Sequence, residues 1–305
     1  MSSLILLFSC IFIGILIKKI PAFPKNTHLV LNQFILFISL PAMALYYLPK
    51  VKLGWDLLFP AGVAWITFIV SFLFFNTLGK RLGWSKALRG CLILTVGLGN
   101  TSFVGIPIVE SLYGDEGIKT LIIVDLPGTF VVLSTLGIVI ATVYSKGESD
   151  LKSIAGKVFR FPAFIAFLIG ISMAAFKINF PIEIHEVFEK LSATVSPLAL
   201  VSVGYQLKIE KRSKHWDFLI LGLFFKLIVI PSIIFTLYAI VLQQEGLPIK
   251  VSIIEAAMAS MITASIIAAQ HGLKPRLANM MIGFGIPISF VTIGIWYFFI
   301  EWFFK

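Results

Sequence analysis

Ten apolar runs of about twenty residues, parted by short loops that hold most of the charge, constrain this chain more than any other feature. They fall at roughly 3–20, 27–48, 56–79, 87–113, 118–144, 159–177, 186–206, 216–242, 249–271 and 277–304. About 20 apolar residues in helical form match a hydrocarbon core of about 30 Å. Lipid admits only helices and closed barrels, because every unsatisfied backbone N–H or C=O there costs several kcal/mol. The expected fold class is therefore an all-α integral membrane protein with ten transmembrane helices. Of the 305 residues, 58% are hydrophobic and only 13% charged, which leaves little for a soluble domain. The first run has no basic residue before it and Lys18-Lys19 after it. This is the reverse of a cleavable signal peptide, so the run reads as an uncleaved first helix.

The net charge of +10 does not point to nucleic acid, because no basic patch is interleaved with aromatics and the charges sit in the loops. They report topology instead. The loops at 18–25, 80–89, 146–160, 208–214 and 274–276 hold 17 of the 25 Lys and Arg; the opposite side holds 7, and Lys226 lies within a span. The richer side is expected to face the cytoplasm, with both termini outside and the protein in the cell membrane. Cys10 and Cys91 lie inside apolar runs, without disulfide or metal-ligand spacing. No metal or cofactor is expected.

An internal repeat organises the runs. Ser39-Leu-Pro41-Ala in span 2 matches Ser196-Pro197-Leu-Ala in span 7, and Pro127-Gly-Thr-Phe130-Val in span 5 matches Pro287-Ile-Ser-Phe290-Val in span 10. Tyr113-Gly114 and His271-Gly272 close spans 4 and 9 at a similar offset. Five spans per half is an odd number, so the halves, 1–144 and 159–305 with a cytoplasmic linker at 145–158, are expected to form an inverted repeat.

Span 4 is interrupted by Gly97-Leu-Gly99-Asn100-Thr101-Ser102-Phe103-Val-Gly105-Ile-Pro107, three glycines, a proline and a polar triplet at membrane depth. Non-helical backbone survives there only where protein buries it or it lines a cavity, as in broken-helix carrier sites. Span 9, its counterpart, reads Glu255-Ala-Ala-Met-Ala259-Ser260-Met-Ile-Thr263-Ala-Ser265, small and dotted with hydroxyls but without Gly or Pro. By itself this pattern suits close helix packing equally well. Opposite a broken span 4, a second break or close crossing is expected.

Asn100-Thr-Ser-Phe-Val-Gly-Ile-Pro107, with a following acidic residue and Tyr-Gly, resembles the span-4 signature of the auxin efflux carrier family, which includes plant PIN exporters and bacterial carriers of small carboxylates. The Ser-Pro-Leu-Ala of span 7 and Glu-Ala-Ala-Met of span 9 are similar to that family as well. The resemblance covers the whole chain. It implies two inverted repeats with crossing broken helices 4 and 9, a homodimer, a scaffold of spans 1, 2, 6 and 7, and a transport domain of spans 3–5 and 8–10 moving against it as an elevator. The chain departs from the family where a proline and an Asn are common in span 9; here stand Ala259 and Thr263.

A half-helix starting in mid-membrane presents free N–H groups and about half a positive charge, a geometry that selects an anion. The expected substrate-binding residues are Gly99, Asn100, Thr101, Ser102 and Pro107, with Ser260 and Thr263 opposite. Asn100 either binds substrate or only caps the half-helix. Asp125 in span 5 and Lys226 in span 8 lie at similar depth and are expected to pair, either as a coupling site for H+ or Na+ or as a structural lock. Glu110 and Glu255 fall in the outer halves of spans 4 and 9 and read as vestibule or interfacial groups. The leading function is secondary transport or uniport of a small organic anion. The alternatives are a membrane receptor or scaffold that keeps the fold, or a cation-coupled carrier of another solute. With no HExxH, no paired intramembrane Asp and all four His near loops, an enzyme is not expected.

Overall fold

A computed structural model describes residues 2–145, 162–206 and 215–305. Among these the chain is helical throughout, with no strand beyond one isolated bridge. Six helices are long and apolar enough to cross a membrane: α2 (Thr27–Lys50), α3 (Leu58–Arg81), α5 (Thr101–Tyr144), α7 (Ile182–Gln206), α8 (Trp216–Val241) and α11 (Pro275–Phe303). Between them lie α1 (Ser2–Ile17), α4 (Lys86–Gly97), α6 (Pro162–Phe176), α9 (Leu247–Ala256) and α10 (Ile262–Gln270). The linker expected at 145–158 lies outside the described residues apart from Ser145, as does the basic loop at 208–214.

Helix α5 has 44 residues, about 66 Å at 1.5 Å per residue, twice the hydrocarbon core. It must turn back. It does so at Gly114, whose φ of 61° and ψ of −154° break the helical path. Gly272, its counterpart between α10 and α11, has φ of 70°. Both are positions where an L side chain would be strained.

Three helices loosen into π-helical turns around prolines, at four places. Ile35–Ser39 precedes Pro41, Thr101–Gly105 precedes Pro107, Phe225–Val229 precedes Pro231, and Asp125–Phe130 contains Pro127. Proline donates no N–H and its ring crowds the carbonyl a turn earlier, so the local register widens. As a result the charged residues Asp125 and Lys226 both sit in widened turns.

The helices pack in two groups. In the first, α1 lies against α7, α2 against α6, and α2 also against α7. Gly14 and Gly204 bring α1 and α7 into backbone contact: a Cβ on Gly14 would strike the Val201 carbonyl, and one on Gly204 the Ile11 carbonyl. In the second group α3 packs on α4, α9 and α5, α8 on α9 and α11, and α10 on α11. The two groups meet where α7 lies against the start of α5. Large apolar side chains such as Phe8, Phe12, Phe37, Leu73, Val291 and Phe298 are exposed on outward faces, as lipid-facing surfaces require.

Candidate functional site

The site is built from two helix breaks. Helix α4, capped by Ser85 accepting from the Leu88 N–H at 3.3 Å, stops at Gly97; Leu98 is extended and α5 begins at Thr101. Helix α9 stops at Ala256 and α10 begins at Ile262. With 12, 10 and 9 residues, α4, α9 and α10 each reach roughly half way across a 30 Å core. Their broken ends meet. The Asn100 N–H donates to the Ala259 carbonyl at 2.8 Å and the Met261 N–H to the Leu98 carbonyl at 2.9 Å, with Gly99 and Ser260 forming the antiparallel bridge. Each break thus satisfies the backbone of the other, which is what hydrocarbon demands of irregular chain. The break expected in span 9 is present although no Gly or Pro marks it. Alongside, α4 packs on α10, and α5 on α9.

The glycines of the motif have separate duties. A Cβ on Gly97 would come within 2.9 Å of the Phe68 ring, one on Gly99 within 3.3 Å of Lys226 Nζ, and one on Gly105 within 2.5 Å of Glu255 Oε1. Gly99 and Gly105 therefore make room for charged side chains. Pro107 is buried in the first α-helical turn after the π-helical start of α5.

Asn100, 1% exposed, caps α5: its Oδ1 accepts from the Phe103 N–H at 3.2 Å. Its Nδ2 has no hydrogen-bond partner. The hydroxyls beside it turn to Asp125, Thr101 Oγ1 donating to Oδ1 at 2.5 Å and Ser102 Oγ lying 2.7 Å from both carboxylate oxygens. Lys226 Nζ donates to the Ala256 carbonyl at 3.3 Å, placing an ammonium at the negative end of α9. The expected Asp125–Lys226 pair is therefore corrected. Among the described residues the ion pairs are Lys119–Glu116 and Lys250–Glu301, since hydroxyls occupy Asp125 and a helix end holds Lys226.

Glu255 corrects a second expectation. It is 1% exposed rather than interfacial, and neither of its carboxylate oxygens has a hydrogen-bond partner. It lies within electrostatic reach of both Asp125 and Lys226. Sequence held a signal for it: counted from Gly246, where the backbone turns at φ 94°, Glu255 is nine residues into a half-helix, about 13 Å deep. Ser260 is also buried with its Oγ unpartnered, whereas Thr263 is half-buried. On α3, the hydroxyls of Thr67 and Ser71, one turn apart, are buried without partners. Glu110 is exposed and accepts from Ser196 Oγ of α7. A cavity of about 300 Å³, lined by Lys18, Lys25, His28, Gln206 and Ile262 among others, reaches the first residue of α10.

Comparison with known proteins matches residues 1–297 to a family described as membrane transport protein. The chain is 28% identical over 290 residues to an uncharacterized transporter of Methanocaldococcus jannaschii, covering 92% of each chain. It is 24% identical over 290 residues to an uncharacterized transporter of Methanothermobacter thermautotrophicus, covering 94% of this chain and 93% of that one. A match spanning nearly every helix, both breaks included, places the chain in the membrane transport protein family, the auxin efflux carrier family whose span-4 signature it carries.

Proposed function

We propose that this membrane transporter is a secondary carrier or uniporter of a small organic anion, binding it where the two breaks meet and exposing it to each side in turn. The observation that carries this reading is the Asn100 amide. Its oxygen is spent on capping α5 while its nitrogen, buried at the positive end of that half-helix, has no partner. A carboxylate oxygen placed there gains a donor and the helix end together. Ser260 Oγ supplies a second unpartnered group from the opposite break. Lys18 and Lys25 beside the cavity that reaches Ile262 would draw anions from the side expected to be cytoplasmic.

The same proposal includes ten spans in two inverted repeats, with spans 1, 2, 6 and 7 as scaffold. Its support is the packing: α1 on α7 and α6 on α2 are the pairs that a swap of the two halves exchanges, and α4 on α10 answers α5 on α9. The homodimer, the cell-membrane location and the outward termini rest on the resemblance and the loop charges.

Thermal unfolding of the purified protein with pyruvate, malonate, succinate and indole-3-acetate tests the site. At a hundredfold excess over its dissociation constant, a ligand of the folded state adds about 2.7 kcal/mol. Stabilisation by at least one carboxylate, lost in Asn100→Ala, is the expected result; stabilisation only by neutral or cationic solutes would overturn the anion reading.

A further inference from the structure

Among the described residues, Glu255 is the buried carboxylate for which the fold provides no donor at all. An ionised carboxylate only accepts hydrogen bonds and needs several; without them, burial exposes a bare charge to a dry interior, at a far higher cost than burying the neutral acid. Asp125 is the contrast, with two hydroxyls turned to its oxygens. Helix α9 packs against α3, α5, α8 and α11. Of these, α5 contributes Asp125 and α8 contributes Lys226. Glu301 of α11 is taken by Lys250 and Tyr113, Glu110 of α5 is taken by Ser196, and α3 has no Asp, Glu, Lys, Arg or His between Leu58 and Gly79. The charges near Glu255 are thus one carboxylate and one ammonium.

We propose that Glu255 carries an exchangeable proton taken up together with the substrate anion, making the carrier a proton–anion symporter; this rests on the anion site proposed above. The charge balance gives the reason. With Glu255 ionised, an incoming anion meets two carboxylates and one ammonium; with Glu255 protonated it meets one of each. Anion and proton therefore favour each other's binding. On release, the Glu255 O–H bond breaks and the proton passes to water on the side to which the site is open. The carboxylate left behind has Lys226 as its nearest counter-charge, available by exchange of the Ala256 carbonyl. Sodium plays no part in this scheme.

Infrared difference spectra of the wild-type protein, with and without carboxyl-13C glutamate, test the proton directly. A carboxylic-acid C=O band that shifts with the label and is missing in Glu255→Gln is expected; its absence overturns the proposal. If Glu255→Gln does not fold, the conservative Glu255→Asp replaces it: its acid band should no longer shift with the glutamate label, and a band that still shifts belongs to another Glu and overturns the proposal. Coupling is read from the apparent affinity for pyruvate, which stays ionised, and for malonate as pH is lowered through neutrality. Affinity should rise by up to about tenfold per pH unit, the limit for one proton per anion, and be flat in Glu255→Gln. Equal pH dependence in both proteins overturns the coupling. Lack of stabilisation by either anion at any pH removes the anion site and with it the symport, while the infrared band still reports whether Glu255 holds the proton.

Discussion

The two ends of the Asn100 amide can be separated by substitution, because capping uses the oxygen and the proposed ligand contact uses the nitrogen. Asn100→Ala should cost about 1 kcal/mol for the lost cap and abolish anion-induced stabilisation. Asn100→Asp keeps an acceptor for the Phe103 N–H and should unfold near the wild-type temperature, yet show no response to anion. Thermal scans with and without ligand measure both. Gly105→Ala pushes a methyl toward Glu255 Oε1 and should cost about 1–3 kcal/mol as overpacking. Much of that loss should return in a Glu255→Ala background, a coupling that a double-mutant cycle in denaturant would show. Asn100, Thr101 and Ser102 were legible in the sequence because polar residues stand out in an apolar run. The true partners of Asp125 and Lys226, two hydroxyls and a helix end, were not, since counting along a helix gives depth but not which way a side chain points. Glu255 was misplaced because a position in the outer half of a span does not tell whether the side chain meets water or is closed in by neighbouring helices.

At the level of elements, one break announced itself and the other did not. Three glycines and Pro107 mark the end of α4, whereas the end of α9 is spelled in Ala, Met and Ser; it became legible only through the repeat that set span 9 opposite span 4. The reason is physical: the second break is held by hydrogen bonds to the first and needs no special residues of its own. The first span ends at Ile17, three residues short of the apolar run, where Lys18-Lys19 begins. The contact between α1 and α7 depends on Gly14 and Gly204. Gly204→Leu should force these helices apart and lower thermal stability by about 1–3 kcal/mol or more. Stabilisation by anion should persist in whatever fraction folds, because Asn100 and Ser260 lie at the breaks between other helices; ligand-dependent scans would check this.

At the scale of the whole molecule, the loop charges make a prediction about sidedness. Cys10 and Cys91 are both buried, so a cysteine introduced in the 145–158 loop should be the dominant site for a membrane-impermeant thiol reagent. It should react in inside-out vesicles and stay protected in intact cells. Reaction in intact cells would reverse the assigned orientation.

The mutual pairing of the two breaks also governs how such a chain is made. Leu98 and Asn100 find their partners at Met261 and Ala259, roughly 160 residues later. At about 5–20 residues per second of synthesis, the first break waits on the order of ten seconds or more with peptide groups unmet in lipid. During that interval the nascent protein is at its most exposed to membrane quality control. A truncated product ending before α9 never closes the gap, so the first half alone should be cleared rapidly by proteases, and co-expression of residues 159–305 should rescue it.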